Sequence, residues 1–234
     1  CIVPDELRRF AYPLPTVTRA ARDGTLDIKI IALGSSSTAG SGASNPNASY
    51  PARLDAELDR MFPGRDFHVA NFGTGGQLAS EMLERIDRDI VPLLPSLVVW
   101  QTGVNDAIRD VGLEAFRLTL QTGIAHLKNA GIDVILVDMQ YYPRSERVAV
   151  YKDYLKVMRD VAEAAKIPLF RRHSVMRHLL ASGQYTSAEL LAPDNFHLND
   201  LSYGCLARLI AEGIADQIRG GRRTHSTLPP IEPR

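Results

Sequence analysis

The run Ile28-Lys29-Ile30-Ile31-Ala32-Leu33, followed by Gly34-Ser35-Ser36-Ser37-Thr38-Ala39-Gly40, decides the fold class. Its first six residues are apolar except for Lys29 and rich in β-branched side chains, the composition of a strand buried on both faces. Small residues then turn the chain. A helical pattern follows from Tyr50 to Phe62, with Leu54, Leu58 and Met61 on one face and Pro63-Gly64 as its stop. The serines of the turn admit two readings. One is a polar turn whose hydroxyl caps a helix; the other is a nucleophile presented at the end of a central strand.

The same unit recurs along the chain. Phe67 to Phe72 reads as a second strand, then Gly73-Thr74-Gly75-Gly76, then a helix over Leu78 to Ile90 with Met82, Ile86 and Ile90 spaced by four. Leu97 to Gln101 is a third strand, followed by Thr102-Gly103-Val104-Asn105-Asp106 and a helix over Leu113 to Asn129 closed by Gly131. Val134 to Val137, a helix over Arg147 to Ala165, the short strand Ile167 to Phe170, a short helix over Val175 to Ala181 and a last helix over Leu201 to Ile218 complete the pattern. Continuous apolar strands alternating with helices predict an α/β protein with a parallel sheet covered on both faces. Residues 1–27, with three prolines, read as an N-terminal arm holding one short helix; 28–219 form one domain; 220–234 form a flexible tail. No internal repeat, heptad or domain linker interrupts this order.

Bulk properties narrow the function. The chain of 234 residues carries 27 basic and 27 acidic side chains, which argues against nucleic acid or an anionic membrane surface as partner. No apolar run approaches the ~20 residues of a membrane span. The first residue is Cys1 rather than Met, and the only other cysteine is Cys205. These two residues leave three readings open: a disulfide formed after export, a buried free thiol at Cys205 on the face shared with Leu201 and Leu209, or a lipid-modified Cys1. Neither cysteine has the spacing of a metal or redox motif.

In an open parallel sheet, ligands bind beyond the carboxyl ends of the strands. Three strands here run directly into small or polar turns, at Ser35-Ser36-Ser37, Gly73 to Gly76 and Gly103 to Asp106. Turns favour such residues in any case, but these also supply what acyl transfer needs: a hydroxyl nucleophile, backbone N–H groups at glycine and the Asn105 amide as oxyanion donors. Among six histidines, His197 is the candidate base, because it lies in a loop before the last helix, three residues after Asp194.

These four segments together resemble the SGNH hydrolase superfamily, also called GDSL esterases and lipases. Gly34-Ser35-Ser36-Ser37 stands where the family has Gly-Asp-Ser-Leu, Asn71-Phe72-Gly73-Thr74-Gly75-Gly76 matches Asn-x-Gly-x-x-Gly, Gly103-Val104-Asn105-Asp106 matches Gly-x-Asn-Asp, and Asp194-Asn195-Phe196-His197 matches Asp-x-x-His. The resemblance implies a three-layer α/β/α sandwich with a five-stranded parallel sheet of flavodoxin-like type. It implies Ser36 as nucleophile, His197 as general base and Asp194 as the group orienting it. The Ser36 and Gly76 N–H groups and the Asn105 amide would form the oxyanion hole, with no metal or organic cofactor. Ser35 departs from the family's aspartate, and Ser35 and Ser37 leave the choice of attacking serine to be tested. Ser35, Asp106, Gln140 and Tyr141 are the candidates for substrate contact, on loops whose polar and aromatic chemistry suits a saccharide ester or a small aryl ester. The implied function is hydrolysis of short acyl or acetyl esters. An acyltransferase on the same scaffold and a non-catalytic binding module are the alternatives. A different α/β hydrolase would need Gly-x-Ser-x-Gly and a nucleotide binder a phosphate-loop motif; neither occurs.

Overall fold

Strand β1 (Ile28–Gly34) lies between β2 (Phe67–Gly73) and β3 (Leu97–Gln101), and β4 (Asp133–Val137) and β5 (Leu169–Phe170) extend the sheet to give the order β2-β1-β3-β4-β5, all parallel. The computed structural model describes residues 1–23 and 28–220. Every residue of β3 and β4, and all of β1 but Lys29, is buried, as expected for strands covered on both faces.

Handedness places the helices. Crossovers between parallel strands are right-handed, so the step from β1 back to β2 and the steps from β2 onward to β5 put their helices on opposite faces. Before the sheet come α1 (Asp5–Arg8) and α2 (Pro15–Asp23). After β1 come α3 (Ser36–Ala39) and α4 (Tyr50–Met61); then α5 (Ala79–Arg85), α6 (Val104–Arg109), α7 (Leu113–Asn129) and α8 (Tyr151–Ala165). The chain ends with α9 (Arg172–Ala181), α10 (Ser187–Leu190) and α11 (Asp200–Ile218). Helix α4 packs on α11 on one side, and α7 packs on α5 and α8 on the other. The three layers and five parallel strands are those the resemblance implies.

Several elements differ from the sequence expectation. The first 23 residues form two helices rather than one, and Phe10, Leu14, Val17 and Ala21 are buried in the core, with α2 packed on α11. The helix expected over 78–90 is α5 followed by a wider turn at Ile86–Ile90, which still buries both isoleucines. Helix α9 begins at Arg172, because the Asp138 carboxylate accepts the His173 N–H (2.9 Å) at its first turn. The short helix α10 was not anticipated, although Thr186 and Glu189 carry the capping-box signature. Cys1 and Cys205 form a disulfide, so the free-thiol and lipid readings are set aside. The expected tail lies outside the described residues from 221 onward. No helix among the described residues is long and apolar enough to cross a membrane.

Two buried carboxylates give the fold a pH dependence. Burial raises Asp138 from its ordinary value to about 7, against the His173 N–H bond and the Arg172 charge, which lower it. Burial raises Asp133 to about 6, although it accepts the Val17 N–H at 2.9 Å. A group that holds its proton in the native state and has lost it in the unfolded chain makes stability fall as pH rises. For these two the fall runs from the ordinary carboxylate range up through about 6 and about 7. Asp138→Asn keeps an acceptor for His173 and removes the charge. We expect its urea midpoint to gain on the wild type as pH is raised from 5 to 8. Parallel titrations for the two proteins would refute the assignment.

Candidate active site

Ser36 is the first residue of the single-turn helix α3, which Gly40 terminates with φ 99°. The Ser35 carbonyl accepts the N–H groups of Thr38 and Ala39 and so closes the turn. Because it opens the helix, the Ser36 N–H has no acceptor within it. Ser36 is half-buried, whereas its neighbours Ser35 (4% exposed) and Ser37 (2%) are enclosed by protein. Only the middle hydroxyl of the three is open to a ligand.

The loop between α10 and α11 is closed by an antiparallel bridge between Leu191 and Leu198 and by the Ala192 N–H donating to the His197 carbonyl. Asp194 organises its interior. Oδ1 accepts the backbone N–H groups of Phe196 and His197, both at 2.9 Å, and Oδ2 accepts Nδ1–H of the His197 ring at 2.6 Å. Burial pushes the Asp194 carboxyl up, but its bonds to the His197 ring and to the two N–H groups outweigh that and hold it below the usual carboxylate range. With Nδ1 donating to a carboxylate, Nε2 is the acceptor, and the Ser36 hydroxyl lies 2.9 Å from it. The Phe196 ring stands edge-on to the imidazole, centroids 4.8 Å apart, and Tyr142 stands edge-on to Phe196 at 4.9 Å. The imidazole is thereby held from its side as well as from Nδ1.

Gly76 and Asn105 meet through the loop that follows β2. Thr74 N–H donates to the Gly34 carbonyl, which ties the start of this loop to the end of β1. One N–H of the Asn105 amide donates to the Gln77 carbonyl at 2.8 Å, and the second is available to a ligand. Arg109, one turn further along α6, donates to the Gly76 carbonyl at 3.0 Å, and Arg85 donates to Thr74 and Gln77. Sequence reading missed these arginines, since nothing local distinguishes them from solvated helix residues.

Three expected substrate contacts are corrected. Ser35 is buried against Gln101. Asp106 is 2% exposed and accepts the Ala79 N–H at 3.0 Å, which pins α5 to α6. Gln140 is 1% exposed and directs its amide toward the Phe196 carbonyl, so it backs the histidine loop. Each was a polar residue beside the site in sequence and is turned inward by packing. Tyr141 remains half-buried, with its ring edge-on to His173.

Residues 1–220 match the sequence model of the non-GDSL lipase-like family. The chain belongs to this family. The family name agrees with Ser35 standing where GDSL proteins have aspartate. No curated protein sequence matches the chain. Among solved structures, a two-domain esterase active on acetylated mannans, crystallised with mannopentaose, is similar with TM-score 0.74 and 24% identity over 92% of this chain and 55% of that one. This member of the non-GDSL family thus spans little more than half of that protein. A lipase/acylhydrolase from Enterococcus faecalis is similar with TM-score 0.69 and 25% identity, covering 81% of this chain and 96% of its own. An acetyl xylan esterase from Geobacillus stearothermophilus is similar with TM-score 0.69 and 21% identity, covering 80% and 94%. At such identities the first and third share the fold.

Proposed function

We propose that this protein is a serine esterase that removes short acyl groups, acetyl foremost, from hydroxyls of saccharides. The unbroken hydrogen-bonded line from Ser36 through His197 to Asp194 carries the proposal. Attack of the Ser36 oxygen on the ester carbonyl passes the hydroxyl proton to His197 Nε2. Asp194 balances the imidazolium that forms and fixes its tautomer. The carbonyl oxygen, now anionic, is met by the Ser36 and Gly76 N–H groups and the second N–H of Asn105. Collapse expels the alcohol, which takes the proton from Nε2 and leaves an acyl group on Ser36. Water then attacks the acyl carbonyl and gives a proton to His197 Nε2; collapse breaks the bond from the acyl carbon to the Ser36 oxygen, which takes that proton back as the acid leaves.

The saccharide choice is supported by the acetylated mannans and acetyl xylan that two similar structures act on by name. It is supported further by the half-buried rings of Phe196 and Tyr141, flat apolar surfaces of the kind that pack against sugar faces. The disulfide supports export to an oxidising compartment.

A panel of esters tests both levels. The expected result is acetate release from O-acetylated xylo- or manno-oligosaccharides and from p-nitrophenyl acetate, with p-nitrophenyl octanoate turned over more slowly. A preference for the octanoate would overturn the acyl assignment. Inertness toward every ester would overturn the esterase reading. If acetate appears on an added alcohol instead of in water, the protein is a transferase.

A further inference from the structure

Gln101 closes β3 as a fully buried polar residue at the end of an otherwise apolar strand. Its side-chain oxygen meets three donors: the Ser35 N–H at 3.2 Å, the Ser35 hydroxyl at 3.3 Å and the Thr38 hydroxyl at 3.0 Å. Thr38 in turn lies 3.4 Å from the Tyr50 hydroxyl. The amide nitrogen of Gln101 has no hydrogen-bond partner among the described residues, so the side chain is held through its oxygen alone. Gly34 lets the turn lie directly on this amide, since a Cβ there would fall on the Thr38 hydroxyl and close to the Gln101 oxygen.

We propose that Gln101 is the positioning residue of the nucleophile, pinning Ser35 and Thr38, which flank Ser36 in the turn, to one acceptor. The inference rests on the esterase reading for its kinetic consequences, though not for its structural ones. The Ser36 N–H and the Ser36 hydroxyl must both be aimed, the first at the oxyanion and the second at His197. Their orientation depends on the Ser35–Ser36 peptide and on the α3 turn. Ser35 fixes the first and Thr38 the second, and both are bonded to the same oxygen.

The test compares Gln101→Met, Gln101→Glu, Ser35→Ala and the Ser35→Ala/Gln101→Met pair with the wild type. Misplacement of a reacting group by about 1 Å lowers rates by roughly 10²-fold. We therefore expect Gln101→Met to label with a fluorophosphonate, and to turn over p-nitrophenyl acetate, about 10²-fold more slowly with KM little changed. Gln101→Glu retains an oxygen acceptor and should recover most of that loss. Ser35→Ala should lose less, and should add nothing in the Gln101→Met background, because the bond it removes is already gone. Rates for Gln101→Met within twofold of the wild type, or losses that multiply in the double variant, would overturn the proposal.

Crystal structures of Gln101→Met and Gln101→Glu judge positioning without any activity. The bond between the Ser36 hydroxyl and His197 Nε2 should be lost in the first and kept in the second; its retention in Gln101→Met would overturn the proposal. Should Gln101→Met not fold, Gln101→Glu and Ser35→Ala carry the same comparison. A wild type that neither labels nor turns over ester would count against the esterase reading, while these structures still decide the role of Gln101.

Discussion

Replacing Ser36 by alanine is expected to lower ester turnover by about 10⁵–10⁶-fold while the fold persists. The magnitude follows from what is lost. On the proposed mechanism no acyl-enzyme forms without the hydroxyl, and neither neighbour can substitute, since Ser35 and Ser37 are enclosed by protein. What would remain on that mechanism is the proposed oxyanion hole and binding surface acting on water, worth about 10³–10⁴ over the uncatalysed rate in related machinery. Stability should change by less than about 0.5 kcal/mol, because the helix gains a better helix former and the hydroxyl's bond in the folded protein is the one to His197 Nε2. The measurement is kcat/KM on p-nitrophenyl acetate together with fluorophosphonate labelling mapped by mass spectrometry. Turnover above a tenth of wild type with an unchanged melting curve would remove Ser36 from the mechanism. Label found on Ser35 or Ser37 would reassign the nucleophile.

The second large effect concerns stability. The Cys1–Cys205 disulfide joins residues 204 positions apart, so it constrains nearly the whole unfolded chain. The loop-entropy estimate for a closure of this length is about 5 kcal/mol. That is comparable to the whole stability of many domains. We expect the Cys1→Ser/Cys205→Ser variant to melt roughly 10–20 °C below the wild type. The loss should arise in the unfolded state, because the first residues keep other fasteners. Arg208 still donates to the Cys1 carbonyl, and Gln184 still bonds both the N–H and the carbonyl of Ile2. Turnover of the folded variant at 25 °C should match the wild type, since neither cysteine touches Ser36, His197 or Asp194. A fall of less than about 3 °C would show that the cross-link restricts the unfolded chain far less than its span implies.

Much of the molecule was legible from local pattern. β1, β3 and β4 are apolar runs whose composition suits a sheet covered on both faces, and the periodicity over Leu113 to Asn129 has the bounds of α7. The four motif segments fall at strand ends and before the last helix, positions that the apolar pattern of strands and helices marks out. Burial was far less legible. Arg172, only 1% exposed, carries no local mark of its burial; the Asp138 carbonyl that accepts its Nε–H lies 34 positions away. The N-terminal segment reads as a proline-rich arm, yet Phe10, Leu14 and Val17 find their cover from helices and strands formed much later in the chain.

By itself, then, the sequence determined the alternation of strands and helices, the candidate site segments and their order, all of which depend on residues a few positions apart. Only the tertiary structure decided that Ser36 meets His197 across 161 positions, that Cys1 meets Cys205, and that Ser35 turns inward to Gln101 rather than outward to substrate. The physical reason is that hydrogen-bond partners and burial are properties of the assembled layers. A serine's hydroxyl is equally suited to solvent, substrate or a buried amide until the strand beside it brings one of them within about 3 Å.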